Sequence, residues 1–126
     1  MMPVGIGADT ANKVASENLA AGNYVNIWND AGVAKVRKAD ASVVGKECNG
    51  FILEGAAEGA IAMVYFEGRN TQLTGLTPGS RYYLSDTLPG GVTATPVTAE
   101  GHIHQYLGIA VSDTEINFEA IDPITM

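Results

Sequence analysis

One cysteine in 126 residues, Cys48, rules out an intrachain disulfide, so the fold must rest on packing, and synthesis in a reducing cytoplasm fits. Charge is scarce as well. Only 17% of residues are Asp, Glu, Lys or Arg, too few for a long solvated helix, while 46% are hydrophobic, too many for a disordered chain. Seven Lys and Arg stand against fourteen Asp and Glu, and Arg81 is the last basic residue, followed by Asp86, Glu100, Asp113, Glu115, Glu119 and Asp122. Neutralising phosphates requires clustered Lys and Arg, so no nucleic acid partner is expected. Long apolar runs are missing too: the longest, around Ala60 to Phe66, is far too short to cross a bilayer. Met1-Met2-Pro3 lacks the basic start and apolar stretch of a secretory signal, so the expectation is a soluble chain with no membrane partner.

Turn formers are plentiful. Fifteen Gly and five Pro punctuate the chain every several residues, a spacing that suits many short strands joined by tight turns. From Asn23 the pattern has a period of two, with Val25 and Ile27 alternating with Tyr24, Asn26 and Trp28. Asn29-Asp30-Ala31-Gly32 then supplies turn chemistry, with Gly32 free to take positive φ, and predicts a hairpin to Val33–Lys38. Further strands are expected at 42–44, 51–54, 60–67, 71–74, 81–85, 92–95, 102–111 and 115–120, with turns at Thr77-Pro78-Gly79 and Leu88-Pro89-Gly90-Gly91. The expected fold is mainly β, a small antiparallel β-barrel or β-sandwich. Residues 1–21, rich in Ala, Gly and Asn, read as an extended N-terminal arm, and residues 22–126 as a single β domain.

An internal echo divides that domain into two halves, 22–67 and 79–120. Gly22 to Ile27, Asp30, Gly32-Val33, Val44-Gly45 and Phe51 to Glu54 recur in order as Gly79 to Leu84, Asp86, Gly91-Val92, Leu107-Gly108 and Glu115 to Glu119.

No catalytic constellation emerges. The Gly-x-Ser-x-Gly elbow is absent, and Cys48 with His102 or His104 is the only formal Cys/His combination. Gly45-Lys46 is followed by Glu47 and has Asp40 where a phosphate loop needs Gly, while Gly5-Ile6-Gly7 lacks the third Gly and a preceding strand. Glu54 and Glu58 read as solvated surface charge. Strand alternation puts His102 and His104 on one face, where a threefold assembly would gather imidazoles for a metal; the plainer reading is two exposed or partly packed histidines. Trp28 and Tyr82-Tyr83 are candidates for an aromatic platform, although adjacent tyrosines in a strand face opposite ways, so one of them belongs to the core. No catalytic, cofactor-binding or metal residue is assigned, and no enzyme is expected.

The run Leu76 to Ser85, then Gly90 to Pro96, then Gln105 to Ser112, resembles a segment that recurs in phage virion proteins. The upstream stretch Glu17 to Ile27 and the unit from Gly32-Val33 to Val44-Gly45 are similar to the opening of small capsid decoration, or cement, proteins of tailed phages. The resemblance touches most of the chain past residue 16. It implies a β-rich homotrimer on the capsid exterior of the virion, whose partner is the major capsid protein lattice and whose role is to lock the shell. The same hairpins occur in head-fibre, tail and receptor-binding modules that contact a host glycan or protein, which is the alternative the resemblance leaves open.

Overall fold

The hairpin predicted around Gly32 is the organising unit. In the computed structural model, which describes residues 9–126, β2 (Tyr24–Asp30) pairs antiparallel with β3 (Val33–Lys38) from Val25↔Lys38 to Asp30↔Val33. The two-residue turn has positive φ at Ala31 (54°) and Gly32 (92°), the pairing whose twist matches a right-twisted ribbon. Asn29 Oδ1 accepts the Gly32 N–H at 2.8 Å and holds the turn, while Lys35 and Asp30 pair at 2.8 Å beside it.

Five strands close into a barrel in the order β1-β3-β2-β4-β5, with β1 at Thr10–Ala15, β4 at Gly50–Phe51 and β5 at Ile61–Tyr65. Strand β1 completes the closure, running antiparallel to β5 from Thr10↔Tyr65 to Val14↔Ile61 and parallel to β3 at Val14↔Lys35 and Ala15↔Val36. A barrel this narrow has room only for small or branched side chains, and its interior is filled by Ala15, Val25, Val36, Ile52, Ala62 and Val64.

A second sheet follows in the chain, ordered β6-β11-β10-β7-β8, with β6 at Gly68–Asn70, β7 at Arg81–Leu84, β8 at Val92–Thr93, β10 at Tyr106–Ala110 and β11 at Ile116–Phe118. A two-stranded piece joins β9 (Ile103–His104) to β12 (Ile124–Thr125). The larger core lies between barrel and sheet. Tyr24, Phe51 and Phe118 meet there with ring centroids 5.6 to 6.0 Å apart, surrounded by Leu84, Leu107, Ile103 and Cys48. Tyr24, Val25 and Asn26 are all buried because β2 has the barrel interior on one face and this core on the other. Backbone bonds stitch the two parts: Tyr24 N–H to Gly90 C=O (2.9 Å), Gly90 N–H to Ala39 C=O (2.7 Å) and Ile103 N–H to Ala41 C=O (2.7 Å).

The mainly β fold with a closed barrel is as expected, and several boundaries are corrected. Of the arm expected over 1–21, residues 1–8 lie outside the described residues, whereas residues 10–15 form β1, an integral barrel strand, and Leu19 is buried against the barrel core. The sequence TANKVA has weak strand propensity, and only its distant partners at 35–36 and 61–65 make it extended. Residues 42–44 are a turn, because the Asp40 carboxylate accepts both the Ser42 N–H (2.9 Å) and the Ser42 hydroxyl (2.6 Å) and folds the chain back. The strand expected at 71–74 falls at 68–70 instead: the Asn70 side chain accepts the Gln72 N–H (3.2 Å) and takes the chain out of the ladder. Both echoing halves contain a hairpin, β2–β3 and β7–β8, yet Val44-Gly45 lies in a turn where Leu107-Gly108 lies in a strand.

Candidate functional site

The residues singled out from sequence are dispersed. Cys48 is buried, its thiol donates to the Gly50 carbonyl at 3.3 Å, and burial pushes that thiol well above its ordinary range. Neither imidazole hydrogen-bonds it. His102 Nδ1 meets the Asp86 carboxylate at 2.9 Å, and His104 packs its ring 5.2 Å from Tyr83 with Nδ1 3.3 Å from the Val97 carbonyl. The two histidines do flank the buried Ile103 on one side of the strand, each with its own partner. Among the described residues, no group of three or more His, Cys, Asp and Glu comes together to hold a metal, and no helix is long and apolar enough to cross a membrane. Glu54 and Glu58 are exposed and form no ion pair among the described residues, Gly45-Lys46 sits in an open turn, and Gly5-Ile6-Gly7 lies outside the described residues.

The aromatics divide as alternation requires. Tyr82 is buried and its hydroxyl accepts the Thr77 N–H at 2.8 Å, whereas Tyr83 faces outward. Trp28 is half-buried on the barrel, its indole N–H donating to Ser16 Oγ at 2.9 Å under the Arg37 guanidinium, 4.8 Å from the ring centroid. Tyr24 is the one buried polar side chain left unpaired among the described residues; burial first, then the nearby Cys48, pushes its hydroxyl above the ordinary tyrosine range.

What the fold assembles is a patterned outer surface. On β5, Ile61 (60% exposed) and Met63 (47%) point outward between the buried Ala62 and Val64, above a depression of about 260 Å³ that also takes in Asn12, Leu53, Glu54 and Tyr65. On β10, a bulge between Tyr106 and Gly108 shifts the register against β7. Gly108 has φ of 153° and sits so close to β11 that a Cβ would run into the Asn117 carbonyl oxygen. The bulge leaves Tyr106, Ile109 and Val111 outward and Leu107 and Ala110 inward. These outward residues, with Asn117 and Glu119, line a second depression of about 290 Å³. Arg81, directly opposite Ile109, lays its guanidinium 5.4 Å from the Tyr106 ring centroid.

Reading the sequence alone missed both depressions. The alternation Ile61-x-Met63 and Ile109-x-Val111 was its only available signal, and it reads equally as a strand face turned to the core.

Compared with known proteins, the sequence matches no model of a protein family and no curated protein. The class defined by the fold is therefore the whole of what structure assigns: a small all-β protein built from a five-stranded closed barrel and an attached five-stranded sheet.

Proposed function

We propose that this chain is a phage virion structural protein that binds the outer capsid surface and stabilises the shell, acting by adhesion rather than catalysis. The observation that carries the reading is a set of outward apolar side chains, Val33, Ile61 and Ile124 on strands and Val44 and Leu88 in the connections between strands, each more than half exposed. Scattered single apolar residues are ordinary on a monomer, but five this open among the described residues suit a protein whose surface is covered by neighbours. A body tied together by backbone bonds between barrel and sheet presents them with little ordering cost on binding. The sequence resemblance to cement proteins supplies the partner, the lattice of the major capsid protein, and a homotrimer as the binding form. Closed symmetry multiplies modest contacts into firm attachment.

Co-sedimentation with expanded empty shells of the phage that encodes the chain tests the reading. Saturable pelleting at a ratio set by the lattice symmetry is the expected result, together with a threefold molar mass by light scattering. A chain that stays in the supernatant at saturating shell concentration contradicts it.

A further inference from the structure

We propose that the outer face of the second sheet is a carbohydrate-binding site, seating one or two pyranose rings in the depression between Tyr106, Ile109 and Val111 on one side and Asn117 and Glu119 on the other. This goes beyond shell binding and does not depend on it.

The argument starts from hydrogen-bonding capacity left unused. Asn18, Asn23, Asn26, Asn29, Asn49 and Asn70 all spend their side chains inside the fold. Asn12, on the first depression, and Asn117 do not; neither do Glu119 and Arg81, whose side chains make no hydrogen bond or ion pair among the described residues. Asn117 and Glu119 line the depression, and Arg81 stands beside it, opposite Ile109 and against the Tyr106 ring; the three are chemically distinct, an amide that donates and accepts, a carboxylate that accepts, and a guanidinium that donates. The cation–π contact with Tyr106 holds Arg81 over this face, so less of its rotamer freedom is lost when it binds. The remaining lining is apolar, with Ile109 and Val111 40% and 47% exposed and the half-buried ring of Tyr106 as a wall.

An apolar wall rimmed by mixed donors and acceptors fits a ligand that is itself apolar on its faces and hydroxylated at its edges, which is a sugar ring. A peptide strand is the poorer match. Strand β10 is paired on both sides, to β7 and β11, and β11 to β10 and β6, so the backbone groups needed for strand addition are already used and only side chains can read the ligand. A phosphate-rich ligand is disfavoured by Glu119 within the depression and by the neighbouring Arg69, which is engaged with Glu115 at 3.5 Å.

Titrating the full chain, labelled with nitrogen-15, with hexasaccharides of glucose, N-acetylglucosamine and galacturonic acid up to about 10 mM, well above a millimolar dissociation constant, is the test. With at least one of the three, saturable amide shifts centred on residues 106–111 and 117–119 are expected. Asn117→Ser and Glu119→Gln, both at exposed positions, should each weaken that binding about tenfold, as removal of one polar partner does, while Glu100→Gln leaves it unchanged. The spectrum away from the depression reports that each variant is folded. No saturable shift with any of the three sugars overturns the proposal, as does binding that both variants retain in full.

Discussion

Gln105 grips the backbone of Cys48 in both directions, accepting its N–H at Oε1 (2.8 Å) and donating from Nε2 to its carbonyl (2.9 Å) across 57 residues of chain. The Gln105 side chain is buried and also reaches the Ile121 carbonyl at 3.2 Å, so a single amide ties the segment after the barrel hairpin to β10's approach and to the C-terminal stretch.

Replacing Gln105 with Ala leaves the buried Cys48 N–H and carbonyl without partners. A loss of about 2–6 kcal/mol in unfolding free energy is expected from urea titration, since each of the two orphaned groups costs about 1–3 kcal/mol. A loss below about 0.5 kcal/mol, the range of neutral surface changes, would show that water replaces the amide at no cost.

Gly108 and Gly32 separate two reasons for glycine. At Gly32 a Cβ meets nothing within 4 Å, so Gly32→Ala costs only the left-handed backbone, about 1 kcal/mol. At Gly108 the same change drives a methyl into the Asn117 carbonyl and must part β10 from β11, for which more than about 3 kcal/mol is expected, in the range of severe steric change. Equal thermal shifts for the two variants would refute the close approach.

The buried Cys48 thiol and Tyr24 hydroxyl make stability fall in alkali. Both are neutral in the folded protein with their titration raised by burial, from ordinary values of 9.0 and 10.0. Below pH 9 neither state loses these protons and the contribution is complete. Above it the unfolded chain ionises first, so stability declines by about 1.4 kcal/mol per pH unit for Cys48 and about twice that once Tyr24 joins above pH 10. Urea midpoints measured from pH 8 to pH 10.5 check this, and Cys48→Ala should flatten the portion between 9 and 10. An unchanged slope in that variant would assign the decline to other groups.

Because β1 closes the barrel, deletion of residues 1–15 exposes the edges of β3 and β5 and uncovers Val36, Ala62 and Val64. The truncated chain is expected to lose cooperative thermal unfolding, whereas a chain lacking residues 1–8 keeps every barrel pairing of the described residues and is expected to melt cooperatively. Cooperative melting of the shorter chain within a few degrees of the parent would mean that the barrel does not need its first strand.

Much of the architecture was legible in the sequence because local chemistry dictated it. Alternation at Tyr24 to Trp28, the Asn29 to Gly32 turn and the Pro-Gly turns predicted the β2–β3 and β7–β8 hairpins, whose partners lie a few residues away. The opposite fates of Tyr82 and Tyr83 followed from the same period of two. Strand β1 was illegible for the converse reason: Ala, Asn and Lys favour no strand, and its ladder partners lie 21 to 55 residues distant. The depression around Tyr106 was hidden too, since it needs a bulge at Gly108, a register between β10 and two other strands, and knowledge of which asparagines the fold has already used. Period-two patterning and turn residues act over a few bonds and so determine that this chain makes strands. Which strands meet, which face of β2 serves which core and which polar groups remain free for a ligand depend on contacts between distant segments, and tertiary packing alone decided them.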